Sequence, residues 1–222
     1  MSASIVVGNS WQLSQINEED RVFLDSEPYV FCCNEFLEHW RLIGFRPTVW
    51  MMGDCFNHEI CIEMRTQLKV LNTDHVLRER LKHYYLCLES ERAANIAREV
   101  GAPVTLYTRG WYENLHQRLA KNIFEPLYHL NTMMDLINMA LIMNPTGEIR
   151  LIGCQRGLGT GHFYDGGKRT TEQEQFPEIL MWDALAKLYR QSVPLVDCNP
   201  EHSALIPDIY NVPRGTLRGG VL

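Results

Sequence analysis

Ser4-Ile5-Val6-Val7-Gly8-Asn9-Ser10 is a short β-branched run that breaks at a glycine and two polar residues, which is typical of a buried strand ending in a sharp turn. Two later runs end in the same way: residues 29–33 stop at Asn34, and residues 48–52 stop at Gly53-Asp54. Apolar residues at helical spacing lie between these two runs, so the unit is β-α-β. The carboxyl ends of the three strands are predicted to form a candidate site.

The same alternation continues along the rest of the chain. Capped or glycine-terminated amphipathic segments predict helices, and short apolar runs between them predict strands. The predicted helices are 90–100, 131–143 and 176–190, and the predicted further strands are 104–107, 148–152 and 193–196. This pattern predicts a single Rossmann-like α/β domain over residues 1–206, with a mostly parallel sheet and helices on both faces, followed by an extended tail at 207–222.

Composition narrows the class of protein. With 222 residues, 45% of them hydrophobic, the chain can bury a core without disulfides or a structural metal. Its net charge of -6 argues against nucleic acid as a partner but leaves room for a local phosphate pocket. The seven cysteines form no disulfide framework, and neither a leader-like segment nor an apolar run of about 18 residues occurs. We therefore expect a cytoplasmic protein without a transmembrane segment.

Polar and glycine residues at the predicted strand ends are the first candidate ligand contacts. Gly8, Asn9 and Ser10 follow the first strand, Asn34 follows the second, and Asp54 follows the third. A glycine there allows main-chain N–H groups to approach a ligand, and an asparagine offers both a donor and an acceptor. Two structural interpretations remain open: an ordinary turn between strand and helix after the first strand, and a helix N-cap for Asp54.

A long loop over residues 153–171 carries the second set of candidates, namely Arg156, His162, Tyr164 and Lys168. Its glycines match neither a dinucleotide-binding fingerprint nor a phosphate-binding P-loop. Loops of this length in a compact domain are usually functional. Cys154 with His162 could form a nucleophile and base, but seven cysteines make such proximity uninformative. Cys55, His58 and Cys61 lack a fourth zinc ligand, so no metal site is predicted.

The strand-end motifs Ile-Val-Val-Gly-Asn-Ser, Val-Phe-Cys-Cys-Asn-Glu-Phe and Arg-Pro-Thr-Val-Trp-Met-Met-Gly-Asp resemble those of the bacterial sialyltransferases that use CMP-sialic acid. They are also similar to the wider group of motility-associated glycosyltransferases and archaeal pterin pyrophosphokinases. The resemblance returns late in the chain, from Asn131-Thr132 onwards, and thins between residues 60 and 125. It implies the GT-A-like variant of the Rossmann fold that is found in these sialyltransferases.

The resemblance implies that Gly8, Asn9, Asn34 and Thr132 hold the CMP part of a sugar donor and that Tyr164 contacts the departing phosphate. Arg156 and Lys168 could contribute there as well. The histidine that the family places before the last helix is missing, because residues 170–174 read Thr-Thr-Glu-Gln-Glu. His162 is the first substitute as catalytic base, with Asp165, Glu172 and Glu174 as alternatives.

The resemblance therefore implies a glycosyltransferase that moves an acidic sugar, sialic acid or one like Kdo, from a CMP-activated donor to a glycan acceptor, without a further cofactor. Two alternatives stay open. One is a Mg²⁺-dependent pyrophosphokinase of the pterin type that uses Asp54, and the other is a non-catalytic nucleotide-binding homologue. The sequence is compatible with a monomer or a homo-oligomer.

Overall fold

The computed structural model describes residues 2–53, 58–87, 91–109, 119–127, 132–154, 163, 175–200 and 212–219. These residues form an α/β fold around a seven-stranded sheet whose strands are all parallel. The predicted fold class is therefore confirmed. The strands are β1 (Ser4–Val7), β2 (Val30–Cys33), β3 (Val49–Met52), β4 (His83–Cys87), β5 (Thr105–Tyr107), β6 (Ile149–Ile152) and β7 (Leu195–Asp197).

The order of the strands across the sheet is β5-β4-β3-β2-β1-β6-β7. β1 pairs with β2 on one side, where Val6 lies opposite Phe31, and with β6 on the other, where Val7 lies opposite Ile152. The chain winds from β1 out to β5 and then returns to place β6 on the other side of β1. The winding direction thus reverses between β1 and β6, which is where sheets of this kind bind ligands.

Helices connect the strands and cover the sheet. They are α1 (Glu18–Ser26), α2 (Phe36–Ile43), α3 (His58–Thr73), α4 (His75–Arg80), α5 (Glu91–Val100), α6 (Thr132–Met143) and α7 (Gln175–Arg190). α3 packs against α2 and α5, and α6 packs across β1, β2 and β3. Because parallel crossovers are right-handed, α1 to α5 lie on one face, and α6 and α7, formed after the reversal, lie on the other.

Burial explains why the sequence adopts these elements. Every residue of β1, β2 and β3 is buried, as expected for strands covered on both faces. α2 presents Phe36, Leu37, Trp40 and Ile43 to the core, and it ends at Gly44, whose φ of +90° suits glycine. α1 begins at an N-cap, where the Asn17 side chain accepts from the Asp20 N–H.

The described part of the tail, residues 212–219, lies against β7. The Asp197 N–H donates to the Pro213 carbonyl at 2.8 Å, and the Gly215 N–H donates to the Asp197 carbonyl at 2.9 Å. Leu217 is buried. This segment therefore continues the sheet edge. In the part of the chain that the structure describes, no helix combines the length and apolar character needed to cross a membrane.

Candidate functional site

The turns after β1 and β6 touch each other at the point where the winding reverses. The Gly8 N–H donates to the Ile152 carbonyl at 2.8 Å, and the Ser10 N–H donates to the Gly153 carbonyl at 2.9 Å. A Cβ added to Gly8 would clash with the Gly153 carbonyl group and lie 2.8 Å from Met133 Cε. Only glycine therefore fits at position 8.

Asn9 occupies the next position along the turn. Its side-chain Nδ2 donates to the main-chain carbonyl of Cys33 at 3.3 Å, and its own main-chain carbonyl accepts from the Phe163 N–H at 3.0 Å. The amide oxygen Oδ1 is buried and has no hydrogen-bond partner among the described residues. Asn9 thus ties β1 to β2 while one strong acceptor remains unsatisfied.

Asn34 follows β2 in a left-handed backbone conformation, with a φ of +50°. Asparagine tolerates this conformation better than most residues. The backbone is fixed on both sides, because the Asn34 N–H donates to the Met51 carbonyl at 3.0 Å and the Asn34 carbonyl accepts from Trp50 Nε1 at 2.8 Å. Its Oδ1 is also buried without a partner in the described part of the chain. It is the second unsatisfied acceptor at this edge.

Such atoms are rare because a buried polar group without a partner costs about 1–3 kcal/mol. Two of them follow neighbouring strands here. Each of these oxygens can accept a hydrogen bond from a ligand that carries N–H or O–H groups.

Ser10 and Thr132, the two other predicted ligand contacts, have different roles in the structure. The Ser10 hydroxyl donates to Gln12 Oε1 at 2.6 Å and accepts from the Gln12 N–H at 3.3 Å, so it caps the 3₁₀ helix at Trp11–Gln15. Thr132 begins α6 at the strand ends, and its Oγ1 accepts from Arg109 Nη2 at 3.3 Å. Thr132 thus lies on the same edge as Asn9 and Asn34, whereas the Ser10 hydroxyl has a structural role.

A buried ion pair supports this edge. Arg109 follows β5, and its Nε donates to Asp135 Oδ2 on α6 at 2.9 Å, with a second bond from Nη2 to the same oxygen. The Tyr107 hydroxyl donates to that oxygen at 3.1 Å. The side chains of Arg109 and Asp135 are 4% and 0% exposed. A Cβ on Gly53 would clash with the guanidinium and with the Thr132 hydroxyl, so this glycine permits the cluster.

This cluster could not be predicted from local sequence patterns. Arg109 lies 26 positions before Asp135, so no local spacing links them. A signal was present nonetheless: Asp135 is the single charged residue in the mostly apolar helix Thr132–Met143, and a buried charge there needs a partner. Burial and the neighbouring Asp135 carboxylate raise the pKa of the Tyr107 hydroxyl well above its usual value, so it stays a donor.

After Cys154, the structure describes one residue of the late loop, Phe163, and it lies over the strand ends. Phe163 is 8% exposed, and the centre of its ring lies 5.8 Å from that of Phe36 and 6.3 Å from that of His39. Its N–H donates to the Asn9 carbonyl. The loop therefore passes the end of β1 at this point. The predicted candidates Asp54, Arg156, His162, Tyr164 and Lys168 lie outside the described residues.

Cys154 follows β6 and is enclosed. Its Sγ lies 3.5 Å from Met133 Sδ, and its N–H donates to Asn199 Oδ1 at 3.3 Å. Burial, together with the negative charge of Asp197, raises the pKa of the Cys154 thiol well above its usual value. A thiol that stays protonated is a poor nucleophile, so Cys154 is not favoured as the nucleophile of a reaction. Asn199, which no sequence motif marks, holds this turn in place.

The described residues contain no group of three or more histidine, cysteine or acidic side chains that could hold a metal ion. No model of a known protein family, no curated protein and no solved structure matches this chain. Its function is therefore inferred from the fold, the strand-end geometry and the sequence motifs.

Proposed function

We propose that this protein is a glycosyltransferase that binds the CMP part of an activated acidic sugar at the carboxyl ends of β1, β2 and β3. The buried, unsatisfied amide oxygens of Asn9 and Asn34 carry the proposal. They lie beside the winding reversal, where this kind of sheet takes its ligands, and the motifs around them resemble those of sialyltransferases. The donor sugar is sialic acid or a related sugar such as Kdo, and the acceptor is a glycan.

Unsatisfied acceptors favour a ligand that brings donors. Cytosine has an exocyclic amino group, whereas uracil has a carbonyl oxygen at the same position. A carbonyl facing a buried amide oxygen would leave both acceptors unsatisfied, which costs about 1–3 kcal/mol. Ribose hydroxyls are further donors that suit either asparagine. Cytidine nucleotides should therefore bind more tightly than uridine nucleotides.

The reaction is a displacement at the anomeric carbon of the sugar. An acceptor hydroxyl loses its proton to a base, its oxygen forms the new glycosidic bond, and the bond from the anomeric carbon to the CMP phosphate oxygen breaks. Negative charge then develops on the phosphate, and preorganised donors stabilise it. We assign this role to Tyr164 and Arg156, and we assign the base to His162, which can accept a proton near neutral pH.

We place the reaction in the cytoplasm. Among the described residues, Cys32, Cys154 and Cys198 carry free, buried thiols. Buried free thiols suit a reducing compartment.

A nucleotide screen tests the proposal. The thermal midpoint of unfolding is measured with CMP, UMP, GMP and AMP, each with and without Mg²⁺, since a ligand that binds only the folded state stabilises it by mass action. We expect CMP to raise the midpoint most, without a need for Mg²⁺. Binding that depends on Mg²⁺ would instead favour pyrophosphoryl transfer, and no response to any nucleotide would overturn the proposal.

A further inference from the structure

A groove lies between α1 and α2, at the end of the sheet opposite to the candidate nucleotide site. It has a volume of about 430 Å³, and its walls include Arg21, Asp25, Trp40 and Arg46. Asp25 lies just before β2, and Arg46 lies just before β3, so the groove is at the amino ends of these strands. A four-residue strand at about 3.3 Å per residue separates it from the carboxyl edge by roughly 13 Å.

The groove is lined by two arginines, Arg21 and Arg46, and two carboxylates, Glu18 and Asp25, and Arg80 lies 3.8 Å from Asp25. The side chains of Arg21, Arg46 and Arg80 are 32%, 25% and 15% exposed, while the single partly buried carboxylate among them, Asp25, is 29% exposed. The other acidic side chains that pair with these arginines, on Glu18 and Glu79, are 79% and 72% exposed, so solvent screens them.

Two of these arginines, Arg46 and Arg80, find acceptors within the fold. Arg46 forms a bidentate ion pair with Asp25. Its Nε donates to Oδ1 at 3.0 Å, and its Nη2 donates to Oδ2 at 2.7 Å. Arg80 Nη2 donates to the Leu24 carbonyl at 2.8 Å and to the Glu27 carbonyl at 2.5 Å. The carboxyl ends of α1 and α2 each act like about half a negative charge. Arg46 and Arg80 are therefore held by acceptors that belong to the fold itself.

Arg21 is the remaining arginine, and one of its donors is unsatisfied. Its side chain passes across Gly44, where a Cβ would lie 3.3 Å from Arg21 Cδ. Its Nε is buried and lacks an acceptor in the described ranges. Its ion-pair contact, from Nη1 to Glu18 Oε2, is long at 3.5 Å. A guanidinium in this state suits an anionic oxygen group, which accepts from Nε and Nη together.

We propose that this groove binds the phosphate or carboxylate group of a small molecule through Arg21, at a site distinct from the nucleotide edge. The net charge of -6 disfavours general anion binding, so affinity for an anion requires a local site of this kind. Trp40 forms an apolar wall for the rest of such a ligand.

Titration with inorganic phosphate, at ionic strength held constant with sodium chloride, tests the proposal. We expect saturable binding to the full chain that Arg21→Met weakens at least about ten-fold, because the variant keeps the apolar stem over Gly44 and loses the charged donor. Arg65→Met, at an exposed pair with Glu99, is the matched control and should bind like the parent. Acetate in place of phosphate shows which anion the groove prefers.

A second variant should strengthen phosphate binding while it leaves the core intact. Glu18 is exposed, and Glu18→Gln removes a negative charge beside Arg21, so phosphate should bind more tightly. The proposal is overturned if no saturable binding is seen, or if Arg21→Met and Arg65→Met behave alike while Glu18→Gln has no effect.

Discussion

The side-chain amide of Asn9 donates a hydrogen bond to the main-chain carbonyl of Cys33 at 3.3 Å, which joins the turn after β1 to the last residue of β2. Asn34 follows directly. Neighbouring strands lie roughly 4.8 Å apart, so the two asparagines are close enough for one ligand to reach both. The bond also fixes which end of the Asn9 amide is the oxygen, and this is the atom left for a ligand.

Gly8→Ala should destabilise the protein by about 1–3 kcal/mol, the usual cost of overpacking. The added methyl would clash with the main-chain carbonyl of Gly153, which accepts from Ser10 and cannot move aside. Urea unfolding measures the effect. Gly101→Ala is the comparison, because its methyl meets none of the described atoms within 4 Å and its cost comes from a φ of +69°. Parental stability for Gly8→Ala would refute the close contact.

Asp135→Asn should lower the free energy of unfolding by about 3–5 kcal/mol, because it leaves the Arg109 guanidinium charged and buried without a counter-charge. Denaturant unfolding is again the measurement. The double variant Arg109→Met with Asp135→Leu removes both charges and should recover much of the loss. The two side chains do not interact if the double variant loses as much unfolding free energy as Arg109→Met and Asp135→Leu lose in sum when each is made alone.

The ion pair between Asp25 and Arg46 should make part of the free energy of unfolding sensitive to acid. Burial raises the pKa of its carboxyl, but the hydrogen bonds from Arg46 and the charges of Arg46 and Arg80 lower it by more, so that it lies below the usual 3.8. The ionised form therefore stabilises the fold above pH ~4, and this stabilisation is lost as the pH falls through the folded-state pKa. The difference in unfolding free energy between the parent and Asp25→Asn should shrink below pH ~4.

Urea unfolding of both proteins between pH 6 and pH 2.5 measures this difference. Asp183→Asn, at a pair with Lys187 whose members are 38% and 42% exposed, is the control and should cost about 0.5 kcal/mol or less. A difference for Asp25→Asn that does not change with pH would contradict the assignment.

Cys154 should be chemically inert in the folded protein. Its thiol is buried and its pKa is raised, so little thiolate forms at pH 8. Alkylation with iodoacetamide, followed by mass spectrometry, should be at least about 100-fold slower in the native state than in urea, since modification requires local opening. Rapid native labelling would restore Cys154 as a candidate nucleophile.

The sequence predicted the parts of the fold whose pattern is local. Fully apolar strands such as β2 and β3, and the end of α2 at Gly44, can be recognised from short stretches of sequence. α1 was not predicted, because among its residues only Leu24 is buried and the segment reads as polar. β4 was not predicted either: it starts with His83 and Tyr84, which are exposed or half-buried, so its apolar part is very short.

The residues of the candidate site also differ in whether the sequence could predict their positions. Residues that follow apolar runs, such as Asn9 and Asn34, could be placed at one edge because parallel strands share a direction. The pairing of Arg109 with Asp135 could not, since it joins two distant elements and depends on how α6 packs over the sheet. The use of the Ser10 hydroxyl as a cap became clear only from its contacts with Gln12.

Calorimetric titration of CMP into the parent protein, Asn34→Ala and Asn95→Ala tests the central claim most directly. Asn95 is an exposed residue of α5 and is the matched control. We predict that CMP binds the parent more tightly than UMP does, and that Asn34→Ala weakens CMP binding by about 1–3 kcal/mol, or roughly 5- to 150-fold, while Asn95→Ala does not. Equal CMP affinity in all three proteins, or no CMP binding to the parent, would contradict a nucleotide site at the ends of β1 and β2.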